Sequence, residues 1–152
     1  MAYTQNAWKG KKYDGKWHSA AEIAKMIRKD LKKAFPDCKF SVTKQDYAGG
    51  RTITISLMRA PFKVIEKASS NYIQLNHFYL DKCLSSANPT NPIWRQKVVL
   101  TPKAVETLKQ VVKIAQAYNY SDCDAMIDYF DVNFYLNLEI GKWNKPFEEK
   151  EA

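Results

Sequence analysis

Hydrophobic positions between residues 19 and 57 change their spacing once, from a helical repeat to alternation. Two residues flank the repeat in positions typical of helix ends: Ser19 has the spacing of a capping box with Glu22, and Pro36 follows as a helix stop. Within it, apolar side chains recur three and four positions apart, as on one face of an α-helix. They are Ile23, Ala24, Ile27, Leu31 and Ala34. The pattern predicts a helix over residues 20–34.

Two segments after this helix alternate between apolar and polar residues, the spacing of strands with one buried face. They cover residues 38–44 and 52–58, and Gly49 and Gly50 fall in the turn between them. Glycine adopts the positive φ that tight hairpin turns require. We therefore expect a β-hairpin with the helix lying across its buried face.

The second half of the chain repeats both spacings. The pair Thr101–Pro102 is typical of an N-cap and a first helical position, and the apolar spacing after it predicts a helix over residues 102–117. Residues 131–140 alternate and predict a strand. We expect Trp143 and Phe147 to anchor the segment that follows this strand.

Together these elements predict an α+β fold, an antiparallel β-sheet with two amphipathic helices packed side by side on one face. The three predicted strands form this sheet, and at least one of the segments 72–80 and 97–100 joins it. We interpret the whole chain, residues 1–152, as a single domain. Its ends are interpreted as a basic and aromatic N-terminal arm at 1–18 and a frayed acidic tail at 148–152.

Charge is distributed unevenly over this fold. The formal net charge is +8, made up of +13 for residues 1–120 and −5 for residues 121–152. Such asymmetry favours an anionic partner on the positive part. The first helix carries a nearly all-positive face opposite its apolar stripe, formed by Lys25, Arg28, Lys29, Lys32 and Lys33. Two interpretations stay open, a solvated surface that keeps the protein soluble and a binding surface.

The N-terminal arm mixes aromatic residues with further lysines, Lys9, Lys11, Lys12 and Lys16. One interpretation is that the arm stacks on bases while its lysines neutralise phosphates. The other is an extended segment that packs its tryptophans on the core. We expect Trp17 to pack on the core because it adjoins the helix cap, and we leave Trp8 open between the two.

Few residues have the spacing of catalytic or metal-binding groups. Asp124, Asp128 and Asp131 share a face if residues 123–131 are helical, and Asp122 lies nearby. Such a cluster of carboxylates is conceivable as a Mg²⁺ or Ca²⁺ site. We favour helix capping and a solvated acidic surface, because the spacing matches no EF-hand loop. Neither His18 nor His77 has a convincing partner in the sequence, so we predict no catalytic residue, no metal, no cofactor and no enzyme activity.

The composition indicates an intracellular protein. No run of about 18 apolar residues exists, so we expect no membrane span, and the polar N-terminus lacks the apolar region of a secretory signal. The cysteines, Cys38, Cys83 and Cys123, are odd in number and widely spaced. This suits free thiols in a reducing compartment, and we predict a cytoplasmic location.

Two runs of residues resemble the family of large polyvalent-protein-associated domains numbered twenty-nine. The first extends from Ser19 through the helix to Tyr47-Ala48-Gly49-Gly50 and the strand after it, and the second lies within residues 101–147 around Asp128-Tyr129-Phe130-Asp131. The resemblance implies an origin in phages and other mobile elements, hence a bacterial host cell, and a role in protecting or establishing incoming DNA. It implies no catalytic residue.

These observations predict a small non-catalytic mobile-element protein that binds nucleic acid, or a host nucleic-acid-binding protein complex, through its basic helix face and arm. A second hypothesis is a protein-binding inhibitor of a host defence system, of the anti-CRISPR or anti-restriction type. A third is a metal-dependent enzyme that uses the acidic cluster at 122–131. The sequence leaves the oligomeric state open.

Overall fold

The computed structural model describes residues 8–48, 50–68, 72–75, 77, 80–84, 90–91, 96–121 and 132–148. The helices are α1 (Ala20–Ala34), a 3₁₀ turn (Leu80–Leu84) and α2 (Pro102–Gln116). The strands are β1 (Trp8–Lys9), β2 (Lys39–Tyr47), β3 (Gly50–Arg59), β4 (Ile65–Ala68), β5 (Ile73–Leu75), β6 (Thr90–Asn91), β7 (Gln96–Leu100), β8 (Tyr120–Ser121) and β9 (Tyr135–Ile140). The α+β fold class is thereby confirmed.

Helix α1 has the predicted bounds. Its first turn is closed by Ser19, whose hydroxyl oxygen accepts the Glu22 N–H at 3.1 Å and whose O–H donates to the Glu22 carboxylate at 3.2 Å. The predicted apolar stripe is buried except at its last position, where Ala34 is exposed. The helix ends there because Phe35, whose N–H still reaches the Leu31 carbonyl, leaves helical geometry ahead of Pro36.

The main sheet has the strand order β2-β3-β9-β5. Strands β2 and β3 form the predicted antiparallel hairpin, in which Val42 pairs with Ile55. Strand β9 instead runs parallel to β3, with Ile53 beside Leu136. The expectation that these strands are all antiparallel is therefore wrong for this pair. A second sheet and α2 separate β3 from β9 along the chain, and a connection of that length permits a parallel neighbour.

The segments 72–80 and 97–100, of which at least one was expected to join the main sheet, contribute strands to two different sheets. Strand β5, within the predicted 72–80 segment, joins the main sheet antiparallel to β9. Strand β7, which contains residues 97–100, lies in a second sheet of order β4-β7-β6. The predicted turn residue Gly50 already belongs to β3, and Gly49 lies outside the described residues.

The core lies between the helices and the main sheet. Helix α1 packs on β2 and β3, α2 packs on β9, and the two helices contact each other. The alternating residues of the two central strands supply the sheet side of one hydrophobic cluster. They are Ile53, Ile55, Leu57, Leu136, Leu138 and Ile140.

Two tryptophans do not occupy the predicted positions. Trp17 is 78% exposed and lies over the guanidinium group of Arg51, and Trp143 is 80% exposed. The expected packing of Trp17 on the core is therefore wrong. Of the two residues expected to anchor the segment after the last strand, Trp143 is exposed and only Phe147 is buried. The tail is also held one residue further than expected, because the Glu148 N–H donates to the Met58 carbonyl at 3.0 Å. Residues 149–152 lie outside the described part of the chain.

Across the described ranges, neither α-helix has the length and the apolar character needed to cross a membrane.

Candidate functional site

The described part of the N-terminal arm, residues 8–18, is fixed to the C-terminal end of α2 by backbone hydrogen bonds. Strand β1 pairs with β8, placing Trp8 opposite Ser121. Beyond the strand, the Gly10 N–H donates to the Asn119 carbonyl at 2.8 Å and the Lys12 N–H donates to the Ala117 carbonyl at 2.7 Å. The arm thus holds its lysines at defined positions beside the helices.

Gly10 permits the closest approach of the arm to α2. A Cβ atom at this position would lie 2.2 Å from the Gln116 carbonyl oxygen and 2.4 Å from the Ala117 carbonyl oxygen. Both contacts are with backbone atoms, which cannot rotate away as a side chain would. Glycine is therefore the residue that allows the arm to lie in this position.

A second anchor joins the arm to α1. The Lys12 ammonium group donates to the Asp30 carboxylate at 2.8 Å, and the Tyr118 hydroxyl donates to the same oxygen. The hydrogen bond between Lys12 and Asp30 raises the pKa of Lys12. Partial burial of Asp30 favours its neutral form, but the bonds from Lys12 and Tyr118 outweigh burial and lower the pKa of the carboxyl group. The charge of Lys12 is therefore compensated within the protein.

A groove of about 750 Å³ lies between the arm, α1 and α2, and we call it the lysine groove. Apolar groups from all three elements line it: Trp8 from the arm, Ala34 from α1, Ile114 from α2 and Ala117 directly after α2. Ala34, the exposed end of the predicted stripe, therefore borders a surface cleft. Five lysines also border the groove: Lys9, Lys11, Lys12, Lys33 and Lys113.

The structure brings some of the predicted binding residues together and separates others. Four of the nine line the lysine groove, namely Lys9, Lys11, Lys12 and Lys33. Three remain exposed along α1 outside it, namely Lys25, Lys29 and Lys32. The guanidinium group of Arg28 donates to the Val42 carbonyl at 2.7 Å and so covers a backbone acceptor of the edge strand β2. Lys16 is exposed in the turn before α1.

Lys113 is the groove residue that the sequence analysis missed. It lies on the exposed side of α2, one turn before the helix ends. The available signal was its position away from the apolar stripe of α2, which alone does not tell it from a solvated lysine. Only the packing of α2 against α1 and the arm brings Lys113 to the same cleft as Lys33.

The groove lysines differ from several other basic residues in how many of them form ion pairs with described carboxylates. Away from the groove, Lys44, Arg59 and Lys109 pair with Asp46, Glu148 and Asp81, respectively. In the groove only Lys12 has such a partner among the described carboxylates. No described carboxylate lies within ion-pair distance of the other four groove lysines, although the charge of Lys33 also helps to lower the pKa of Asp30. These four are Lys9, Lys11, Lys33 and Lys113.

His18 has the partners that the sequence analysis did not identify. Its imidazole nitrogens lie 3.0 Å from the Asp14 carboxylate and 3.4 Å from the Glu22 carboxylate. These hydrogen bonds, first the one to Asp14 and then the one to Glu22, raise the pKa of His18. The His18 side chain thus links the turn before α1 to the first turn of the helix, and this role is structural.

The described residues offer little for metal or nucleophilic chemistry. They contain no group of three histidine, cysteine or carboxylate side chains arranged to hold a metal ion. The aspartate cluster at 122–131 lies outside them. A second cleft, of about 510 Å³, is lined by Cys38 together with Phe35, Phe62 and Lys103. Burial raises the pKa of the Cys38 thiol, which disfavours the reactive thiolate.

Comparison with known proteins identifies the family. The family model of large polyvalent protein associated domain 29 matches residues 18–101, more than half of the chain. The match runs from α1 to the end of β7, so it includes the middle of the chain, where the sequence motifs showed no resemblance. It ends at residue 101 and therefore does not extend over the second run of motifs, within residues 101–147. Comparisons with curated proteins and with solved structures gave no match. The chain therefore belongs to the family of large polyvalent protein associated domain 29, a family associated with phages and other mobile elements.

Proposed function

We propose that this protein binds nucleic acid, alone or within a nucleoprotein, through the lysine groove and the adjacent basic face of α1, and that it is not an enzyme. The observation that supports the proposal is the convergence on one cleft of lysines from three separate segments, none of them within ion-pair distance of a described carboxylate. Lys11 comes from the arm, Lys33 from α1 and Lys113 from α2. Like charges held together in this way repel one another and favour an anionic partner.

The basic face of α1 extends this site along the helix. At about 100° per residue, Lys29 and Lys25 follow Lys33 around and along the helix surface, away from the groove. The 15 residues of α1 span about 22 Å, the axial length over which one strand of a B-form duplex carries about six phosphates. A continuous positive surface of this length suits a linear polyanion better than a small anion.

Paired substitutions test the proposal. We expect Lys11→Gln with Lys33→Gln, and Lys9→Gln with Lys113→Gln, to weaken binding to nucleic acid. The slope of log affinity against log salt should flatten by about one unit for each phosphate that the variant no longer neutralises. Unfolding free energies should change by no more than about 0.5 kcal/mol because these side chains are exposed.

A matched control removes the same charge elsewhere. Lys63 lies between β3 and β4, where its carbonyl accepts the Thr101 hydroxyl at 2.7 Å, and Lys145 lies in the turn after β9. Neither lines the groove, so Lys63→Gln with Lys145→Gln leaves it intact. Equal loss of affinity in the control and groove variants would mean that only net charge matters. Unchanged affinity and slope in the groove variants would contradict the proposal.

The same surface would also fit an acidic patch on a host defence protein, as an anti-CRISPR or anti-restriction inhibitor requires. Salt dependence separates the two functions. Nucleic-acid binding releases counterions and weakens steeply with salt, whereas an inhibitor captures one protein stoichiometrically and retains it at higher salt. The measurement is a pull-down from host lysate with and without nuclease treatment, repeated over a series of salt concentrations.

A further inference from the structure

We infer that the lysine groove is a site for an unpaired nucleic-acid strand, with the indole of Trp8 as a stacking surface for a base. This inference rests on the proposed function and adds the class of nucleic acid to it. Duplex DNA buries the faces of its bases and presents phosphates and sugars, so the apolar lining of the groove would gain little from it. An unpaired strand offers both phosphates and apolar base faces.

Trp8 is held in position for such a contact. Its backbone is fixed by the β1–β8 pair, yet its side chain is 42% exposed at the edge of the groove. The segment next to it is braced by Tyr13, whose ring lies 4.8 Å from that of Tyr120. The Lys9 ammonium group lies 5.7 Å from the Tyr13 ring centre. A partly exposed indole on a fixed backbone is already ordered for stacking.

The surroundings of Trp8 supply both contacts that a single strand needs. Ile114 and Ala117 form apolar surface beside it, and Lys11, Lys33 and Lys113 surround that surface with positive charge. The groove volume of about 750 Å³ lies within the range of about 300–1,000 Å³ that is usual for ligand sites, which is enough for a short stretch of strand. The positive charge of the groove is complementary to an anionic ligand. The apolar lining suits a ligand that also carries a flat, uncharged ring, as a nucleotide base does.

Two other tryptophans provide matched controls because they are exposed but do not line the groove. Trp17 is stacked over Arg51, and Trp143 lies in the turn after β9. If exposure of an indole were sufficient for binding, all three would contribute. If the groove is the site, only Trp8 should contribute.

The test compares fluorescein-labelled oligothymidylate with a duplex of equal length, by fluorescence anisotropy at fixed low salt. We expect the single strand to bind more tightly. Trp8→Ala should weaken single-strand binding by about 5- to 150-fold, the range for removing one base–aromatic stack, and should leave duplex binding unchanged. Trp8→Phe should restore most of the affinity, and Trp143→Ala should have no effect. The salt slope should stay the same in all of these variants, since none removes a charge.

Gly10→Ala provides a second variant that changes the groove without changing any charge. The added methyl group would meet the backbone of Gln116 and Ala117, so the arm must move and carry Trp8 and Lys11 away from the helices. We expect the preference for the single strand to disappear while weak, salt-dependent binding persists. Circular dichroism checks that α1 and α2 remain folded, and if they do not, the Trp8 variants decide the question alone.

The outcomes separate this inference from the proposed function. Tight binding of oligothymidylate, or of an oligouridylate of the same length, that Trp8→Ala weakens by about 5- to 150-fold supports the inference for DNA or RNA, respectively. Equal affinity for strand and duplex, or an unchanged affinity in Trp8→Ala, overturns it while leaving nucleic-acid binding in place. Failure of both probes to bind at low salt overturns the proposed function as well.

Discussion

At the scale of single residues, the two histidines show how local surroundings determine a side chain's chemistry. His18 is flanked by the carboxylates of Asp14 and Glu22, which raise its pKa above the ordinary value of 6.5. Burial lowers the pKa of His77 below the same value. Stabilisation by protonated His18 is present below pH 6.5 and is lost as the pH rises through its raised pKa. Stability due to neutral His77 is complete above pH 6.5 and is lost as the pH falls towards its lowered pKa.

We therefore predict two separate titrations in the folded protein. Imidazole proton shifts measured by NMR should give a midpoint above 6.5 for His18 and below 6.5 for His77. His18→Gln assigns the signals, and it should also abolish the loss of stability that accompanies the rise in pH through the higher midpoint. The reverse order of the two midpoints would show that the hydrogen bonds of His18 do not form in solution.

Core burial gives a second prediction at this scale. Leu31 is 1% exposed, so Leu31→Ala removes buried apolar surface and leaves a cavity. We expect a loss of about 2–5 kcal/mol in the free energy of unfolding, measured with chemical denaturant. The neighbouring exposed residue serves as the control, because Lys32→Ala should change stability by no more than about 0.5 kcal/mol. A loss below about 1 kcal/mol for Leu31→Ala would contradict the assignment of the buried helix face.

At the scale of elements, buried polar side chains join segments that are distant in the chain. Arg51 on β3 donates to the Asn133 carbonyl at 2.8 Å and also donates to the carbonyl of His18. It therefore links the start of α1 to the segment before β9. Asn119 joins the end of α2 to the same segment, since its amide donates to the Phe134 carbonyl at 2.9 Å and accepts the Phe134 N–H at 3.1 Å.

We predict that Asn119→Ala is strongly destabilising, because it leaves both backbone groups of Phe134 without these partners in a buried site. An unsatisfied buried polar group costs about 1–3 kcal/mol, so the free energy of unfolding should fall by at least about 2 kcal/mol. Asn137→Ala, at an exposed position on β9, should change it by no more than about 0.5 kcal/mol. Equal effects of the two substitutions in denaturant titrations would argue against the Asn119 network.

At the scale of the whole molecule, charge and shape act together. Residues 1–120 carry a net charge of +13 within a chain whose total is +8, and the residues that line the lysine groove all belong to this positive part. The long-range field of such a surface attracts anions before contact and is screened by salt over about 10 Å at 0.1 M ionic strength. The apolar lining acts only after contact, because it has no long-range field.

This division predicts different kinetic effects for the two kinds of groove residue. Lys11→Gln with Lys33→Gln should lower the association rate with oligothymidylate and reduce its dependence on salt. Trp8→Ala should mainly raise the dissociation rate, since a stacking contact forms late. Stopped-flow fluorescence measures both rates. An effect of the lysine variants confined to dissociation would show that electrostatic attraction does not guide binding.

Sequence alone determined the features that depend on local spacing. The bounds of α1 follow from the cap at Ser19, the apolar repeat and Pro36, and the β2–β3 hairpin follows from alternation on both sides of a glycine pair. Four lysines of the groove were also within the predicted binding set, because charge clusters are visible in the sequence. These features need no contact between distant parts of the chain, so neighbouring residues are sufficient to specify them.

Only the tertiary structure decided the direction of β9, the position of the arm and the exposure of the tryptophans. Alternation is the same in a parallel and an antiparallel strand, so the pairing of Ile53 with Leu136 has no local signal. The arm reaches α2 through Gly10, whose contact with Gln116 joins residues more than a hundred positions apart. The lysine groove is assembled from the arm, α1 and α2, which are distant in the chain. Its charges are therefore visible in the sequence, but only the packing of these segments brings them together around Trp8.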